Sequence, residues 1–388
     1  MQPATPLAPW TYTHPDLLPL ELDAVFAQRW QFVGHRCEVP GNGDFITATV
    51  GRDNVIVMRG KDAKLRSFLN VCRHRASRLL EGNGNCSGVL QCPYHQWTYR
   101  LDGSLMSMPQ PDTFGDVNKD DLGLYRVQLE EFHGFLFVRI RGNGPTVAEQ
   151  FAHTAHYFEQ YETVSYECIA PATEEIWSAN WKVVWDNYQE NYHIPFAHKG
   201  LHRLVKENDV FEELESGIGF SEFELRDKVS SVNEERRYQK LVHHADKRVP
   251  ESIRKRWVQF GYSPNLGIDL YAELVDIFQV IPLSTDKTLI RTSFYGHRNA
   301  TPEEQELRRL NFSINAKIND EDKVICRRVQ QGLSTQRYSP GPFSSVESGV
   351  LSFHQLLKEQ VPVMQLQEPP RQVSLAERNA EMPENQGT

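Results

Sequence analysis

Two pairs of residues carry the clearest chemistry in the chain. They are Cys72-Arg73-His74 and Cys92-Pro93-Tyr94-His95, a Cys-x-His and a Cys-x-x-His separated by residues 75–91. Two thiolates and two imidazoles fit either of two centres. Tetrahedral structural zinc accepts Cys2His2. A [2Fe–2S] cluster accepts the same set when the thiolates hold one iron and the imidazoles the other. Because imidazole is neutral where thiolate is charged, the histidine-held iron is then easier to reduce. Ligand identity alone leaves both open.

A second constellation lies in the segment from Asn180 to His198, which contains Asn187, Glu190, His193 and His198. Glu190 and His193 are three apart and would share a helical face. On one continuous helix His193 and His198 would diverge by about 140°. Pro195 stands between them and is expected to end the helix, letting the second histidine swing back. Two histidines and one carboxylate, with other positions open, make the facial triad of non-heme Fe(II) oxygenases. The open positions let O2 and substrate meet beside the metal.

The elements that must position these groups fall into two styles. From Asp44 to Ile140 short β-type runs alternate with Gly, Asn and Asp, for example 45–50, 54–58 and 134–140, as in a small all-β domain. Both Cys/His pairs sit at the ends of such runs. Residues 141–145 read as a loop and a boundary. Beyond it helix and strand mix. Val147 to Tyr161 reads as a helix with Thr146 as N-cap and Glu149 three residues on. Trp181, Val184, Trp185 and Tyr188 make one helical stripe within 180–192. Residues 278–282 and 289–295 read as strands, and Thr301-Pro302-Glu303-Glu304 opens a long helix to Leu333. The last twenty or so residues are rich in Pro, Gln, Glu and Asn, which predicts a mobile tail.

Composition excludes some functions. The chain has 388 residues, 39% hydrophobic and 24% charged, with a net charge of −9, which argues against a nucleic-acid binder. No run is apolar enough to span a bilayer, and the N-terminus lacks the pattern of a signal peptide. The six cysteines are sparse for this length. They predict a reducing, cytoplasmic setting without disulfides. Gly82 to Gly88 fails the spacing of a dinucleotide-binding loop, so neither NAD(P)H nor flavin is expected on this chain.

The segments Cys-Arg-His-Arg-Ala-Ser and Cys-Pro-Tyr-His-Gln-Trp, with the 180–198 segment, resemble the alpha (terminal oxygenase) component of Rieske-type non-heme iron ring-hydroxylating oxygenases. The resemblance runs from about Trp30 to Leu333. Respiratory and photosynthetic Rieske proteins carry an extra cysteine in each ligand loop. Here those positions are Ser77 and Tyr94, which is the oxygenase pattern, and Cys86 reads as a non-ligand. The resemblance implies an α+β fold: a small all-β Rieske [2Fe–2S] domain inserted in a helix-grip catalytic domain with an antiparallel sheet. It assigns residues 1–35 and 146–365 to the catalytic domain and 36–145 to the Rieske domain, with 366–388 as the tail. Cys72, His74, Cys92 and His95 would hold the cluster. His193, His198 and an acid eight residues before Gln330 would hold mononuclear Fe(II). That acid is Asp322, with Asp320 and Glu321 as alternatives.

Further implications follow from the same family. Glu190 would bridge His95 of a neighbouring chain and His193 within a ring-shaped homotrimer. Many relatives carry Asp there, and Glu recurs among those that oxidise quaternary ammonium compounds. Asn187 would hydrogen-bond near the iron, and Trp181 and Lys182 would serve packing. A separate NAD(P)H-dependent reductase, with or without a ferredoxin, would supply electrons, and O2 would be the cosubstrate. Residues 205–295 would line much of the substrate pocket, with Phe211, Phe220, Phe223, Tyr238, Trp257, Phe260, Tyr262, Tyr271 and Phe278 as candidates. The leading expectation is hydroxylation of a small aromatic compound. The alternative is a monooxygenase or demethylase of a betaine, choline or carnitine type compound, since Tyr192 to Leu201 resembles plant choline monooxygenase. An aromatic lining could cage a quaternary ammonium by cation–π attraction. The non-enzyme rival is a zinc-containing lipid- or ligand-binding module.

Overall fold

A computed structural model describes residues 5–206, 211–214, 217–245 and 247–382. The chain forms two compact units, one from residues 1–21 and 150–388 and the other from 22–149.

The second unit is built from antiparallel sheets. Strands Gln31–His35, Phe135–Arg139 and Gln128–Phe132 form one sheet, and Leu65–Leu69, Asp53–Arg59, Asp44–Val50 and Asn83–Asn85 form another. The third, Val89–Gln91, Thr98–Arg100 and Leu105–Ser107, carries one ligand loop between its first two strands. One boundary differs from expectation. Residues 22–35 belong to this unit, because Gln31–His35 pairs with Phe135–Arg139 and Phe32 packs its ring on Phe135 and Phe137. An N-terminal aromatic segment looks alike in sequence whichever core it joins.

The first unit centres on a seven-stranded antiparallel sheet. Its strands are β1 (Glu167–Trp177), β2 (Glu212–Glu213), β3 (Ile218–Glu224), β4 (Arg256–Tyr262), β5 (Leu266–Leu270), β6 (Val275–Ser284) and β7 (Lys287–Gly296). The order is β1-β7-β6-β5-β4-β3-β2, a meander closed at one edge by β1. Helix α1 (Trp181–Tyr188) packs against β6, β7 and the long helix α2 (Pro302–Leu333). Helix α3 (Ser348–Gln360) follows.

Local chemistry accounts for these helices. Asn180 caps α1 by accepting from the Lys182 N–H, and Thr301 and Glu304 make the reciprocal cap of α2. Gln330 Oε1 accepts from the Asn180 N–H at 2.7 Å, tying the end of α2 to the start of α1. Lys182, read from the sequence as a packing residue, is 0% exposed and makes a buried ion pair with Glu21. Trp181 Nε1 donates to the same carboxylate at 2.7 Å, so the N-terminal segment is clamped to α1.

Four further expectations change. The helix expected over 147–161 is two short helices, Val147–Gln150 and Ala155–Gln160, although Thr146 and Glu149 do cap the first. The helix expected over 180–192 ends at Tyr188. Pro195 does not end a helix. It sits in the first turn of the short helix Ile194–Ala197, where a missing N–H costs nothing. In the expected tail, Leu375–Glu381 is helical, capped by Ser374 and Glu377, and Asn379 Oδ1 accepts from the Val363 N–H. Residues 383–388 lie outside the described residues.

Candidate metal centres and substrate cavity

The two Cys/His loops repeat one backbone design. In each, the residue four after the cysteine donates its N–H to the cysteine carbonyl: Ala76 to Cys72 and Gln96 to Cys92, both at 3.0 Å. In each, the cysteine N–H donates across the loop, Cys72 to Ser77 and Cys92 to Trp97, both at 2.8 Å. Ala76 and Gln96 adopt φ of 55° and 57°, a left-handed conformation that side chains usually avoid. No glycine marks these turns, so the sequence hides them.

Both cysteines are buried, and Cys72 Sγ lies 3.3 Å from the Tyr99 hydroxyl. The rings of His74 and His95 are 4.7 Å apart, and His74 stacks on Trp97 at 5.0 Å. Burial and the neighbouring His95 hold the His74 imidazole below its usual pKa, in the neutral ligand form. The Nδ1 atoms of both histidines are buried and lack hydrogen-bond partners among the described residues. A buried imidazole nitrogen without a donor is what an absent metal bond leaves behind. The donor set fits a mixed-ligand [2Fe–2S] cluster bound through Nδ1.

The second centre is assembled from distant segments. His193 caps the short helix 194–197, and His198 ends it and starts Lys199–Leu204. Glu190 is not helical. It lies beyond the end of α1, and its carboxylate accepts from the His193 N–H at 3.1 Å and from His193 Nδ1 at 2.5 Å. His198 Nδ1 donates to Glu321 Oε2 at 2.7 Å. Carboxylates only accept, so both Nδ1 atoms carry the proton and both Nε2 atoms carry lone pairs. Those two Nε2 atoms are 3.1 Å apart, with Asp322 Oδ1 at 3.6 Å from His193 and 3.0 Å from His198. Lone pairs and a carboxylate oxygen converging in this way fit a bound cation.

Asp322 is 9% exposed, whereas Asp320 is exposed and Glu321 holds His198 from behind. Asn187 Nδ2 donates to Asp322 Oδ1 at 3.2 Å and orients it. Burial opposes charge on His198, but the hydrogen bonds and charges of Asp322 and Glu321 outweigh it and raise the pKa. Glu321 in this holding role was missed from sequence, where it was only an alternative ligand.

A cavity of about 110 Å³ opens on His193, His198 and Asp322. Of the nine aromatic candidates, Phe223, Trp257, Tyr271 and Phe278 line it. The other five, Phe211, Phe220, Tyr238, Phe260 and Tyr262, do not. Phe260, for example, stacks on Phe158 in the core. Trp177 and Tyr188 complete the aromatic lining, with Tyr188 stacked on Phe278 at 5.6 Å. Asp269 and Asp276 also line it, and no Lys or Arg does among the described residues. The two acids interrupt apolar strands, which is a signal the sequence itself carries.

Residues 154–362 match the catalytic domain of the ring hydroxylating alpha subunit, and residues 29–129 match the Rieske [2Fe-2S] domain. The chain belongs to the alpha subunits of Rieske-type ring-hydroxylating oxygenases. It is therefore an oxidoreductase that uses a Rieske cluster, a mononuclear iron and O2, and the zinc-module reading falls. Such oxygenases draw electrons from a partner protein and act on small molecules.

The particular relatives are narrower than the family. The chain is 28% identical over 375 residues to the glycine betaine monooxygenase oxygenase subunit of Pseudomonas aeruginosa, covering 88% of this chain and 86% of that one. It is 38% identical over 206 residues to the carnitine monooxygenase oxygenase subunit of Acinetobacter baumannii, covering 51% and 55%. Among solved structures, a quaternary ammonium Rieske monooxygenase described for carnitine oxidation and inter-subunit electron transfer superposes with a TM-score of 0.76 at 25% identity, covering 92% and 95%. No helix among the described residues is long and apolar enough to cross a membrane.

Proposed function

We propose that this protein is the oxygenase subunit of a quaternary ammonium monooxygenase. The observation that carries the reading is the cavity on which His193 and His198 open: six aromatic side chains, the four carboxylates of Glu190, Asp269, Asp276 and Asp322, and no Lys or Arg among the described residues. A trialkylammonium gains cation–π attraction from the rings and Coulomb attraction from the acids. A neutral arene gains only the first kind of surface and must tolerate the buried acids. The relatives named above support the same choice over arene hydroxylation, which the sequence suggested first.

In this reading His193, His198 and Asp322 would hold the iron. Cys72, Cys92, His74 and His95 hold the cluster. Bound there, the metals supply electron transfer and O2 activation. Glu190 and Glu321 keep the two Nδ1 protons in place, fixing which nitrogen each imidazole presents. Asn187 fixes the rotamer of Asp322. The aromatic walls exclude water from the cavity beside the triad and would contact the substrate methyl groups.

Both Glu190 oxygens are engaged by His193, and each keeps a second lone pair that can take His95 of a neighbouring subunit. Exposed aromatics flank both partners of that contact: Tyr94 at 55%, Tyr192 at 52% and Phe196 at 73%. Such rings in an isolated chain support subunit packing, here into the homotrimer. A separate reductase completes the system in a cytoplasmic setting.

The test is single-turnover oxidation by the reduced, iron-loaded protein, offered a mixture of neutral arenes, aromatic acids and quaternary ammonium compounds. Mass spectrometry is expected to show demethylation or oxygen insertion on an ammonium compound alone. An arene product without an ammonium product would overturn the reading.

A further inference from the structure

The acids of the cavity do more than favour a cation. Asp269 on β5 and Asp276 on β6 stand directly opposite each other in the antiparallel register. Like charges at such a cross-strand pair are destabilising, so sheets normally avoid them. Here both are enclosed in the substrate cavity.

Their partners are few. Asp269 Oδ1 accepts from the Tyr188 hydroxyl at 2.9 Å. Asp276 is 5% exposed, and its buried Oδ1 has no hydrogen-bond partner among the described residues. A structural acid in a core would be satisfied by donors. This one lines a cavity with an oxygen unspent. The surrounding rings, Trp177, Tyr188, Trp257, Tyr271 and Phe278, offer faces rather than cationic donors. Burial, and for Asp276 the neighbouring Asp269, hold both carboxyls far above their usual range, Asp269 at about 7. The pair is under-compensated in the free protein.

A zwitterionic substrate brings its own carboxylate. In a small cavity that carboxylate would meet two aspartates and, among the described residues, no Lys or Arg, leaving only neutral donors such as the amides of Asn191, Gln259 and Asn315 to offset its desolvation. A cation with a neutral arm meets only attraction.

We propose that Asp269 and Asp276 form a paired counter-ion subsite, and that the substrate is a quaternary ammonium of net positive charge without a carboxylate. The inference rests on the quaternary ammonium reading and narrows it. It separates this chain from relatives whose names indicate glycine betaine or carnitine.

The experiment measures equilibrium binding to the iron- and cluster-loaded protein by calorimetry. Three probes of similar shape are used: choline, glycine betaine and the uncharged 3,3-dimethylbutan-1-ol. Choline is expected to bind at least tenfold more tightly than both others. Asp276→Asn and Asp269→Asn should each weaken choline at least tenfold and leave the neutral alcohol unchanged. Both variants keep the side-chain shape and replace a buried ionisable group by a neutral one, so folding should survive, and binding of the neutral probe reports an intact cavity. If glycine betaine binds as tightly as choline while the alcohol does not, the ammonium reading stands and the net-cation inference is overturned. If choline affinity is indifferent to both substitutions, the counter-ion role is likewise overturned. If the alcohol equals choline, the ammonium reading itself fails.

Discussion

The two metal regions of this chain solve the same problem by opposite means. The cluster loops are local: each closes on itself through hydrogen bonds within six residues, and the same backbone is used twice. The candidate mononuclear site is assembled from afar. His193 and His198 come from the stretch after α1, while Asp322 comes from the middle of α2. A local motif carries its geometry in its own spacing. An assembled one depends on the sheet and helices that bring its parts together.

Substitutions can break that contrast at either end. Cys92→Ser should abolish the cluster and its visible absorption, removing about two iron atoms per chain. The mononuclear iron should remain, and turnover should be lost. Asp322→Ala should do the reverse, losing one iron and all turnover with the cluster spectrum intact. Iron analysis beside the spectrum checks both, and loss of both metals in either variant would mean that the sites are not independently built.

Next in size is the clamp on which assembly depends. Glu21→Gln leaves Lys182 charged and buried, which costs about 3–5 kcal/mol. Thermal unfolding should show the unit of residues 1–21 and 150–388 melting earlier, with the cluster absorption persisting to its former temperature.

A pH dependence follows from Glu273, which accepts from Tyr238 and Asn311 in the core of the same unit. Burial raises its carboxyl from 4.5 to about 7. The folded state therefore binds this proton more tightly than the unfolded state. Stability is fully present below about 4.5 and is lost as pH rises through about 7. Glu273→Gln should lessen that slope by its own share, up to about 3 kcal/mol at neutral pH, while the share of Asp269 stays, read from melting temperatures between pH 5 and 8. An unchanged slope would place the titration elsewhere.

The smallest effect concerns orientation. Glu321→Gln keeps a hydrogen-bond acceptor for His198 Nδ1 but removes the charge. Iron affinity should fall about 10- to 100-fold with the cluster untouched, as measured by chelator competition.

This contrast also marks what could be read from the sequence. The candidate cluster loops stood out because Cys-x-His and Cys-x-x-His state their spacing outright. So did α2, because Thr301, Pro302 and Glu304 write its start. The end of α1 did not. Gln189 closes the helix onto Asp186 and Trp185, and Glu190 then turns its carboxylate onto His193 instead of continuing the spiral. The cavity was half legible. Alternation identifies aromatic residues on a half-buried strand, but β4, β5 and the first part of β6 are buried on both faces, so period alone cannot say which face meets the cavity. Asp269, flanked by Ile268 and Leu270, was the better signal, since an acid in such a strand needs a reason.

The Rieske unit is one unbroken stretch, whereas the catalytic unit needs Glu21 from before it and Lys182 from after it. On the ribosome, the order of completion is therefore fixed by the chain. Residues 22–149 have emerged whole before any of the catalytic sheet exists, so the cluster loops can close while the start of the chain still waits for its partner. The first twenty-one residues pass that interval with their buried-to-be acid in water, and the clamp on α1 is among the later contacts to form.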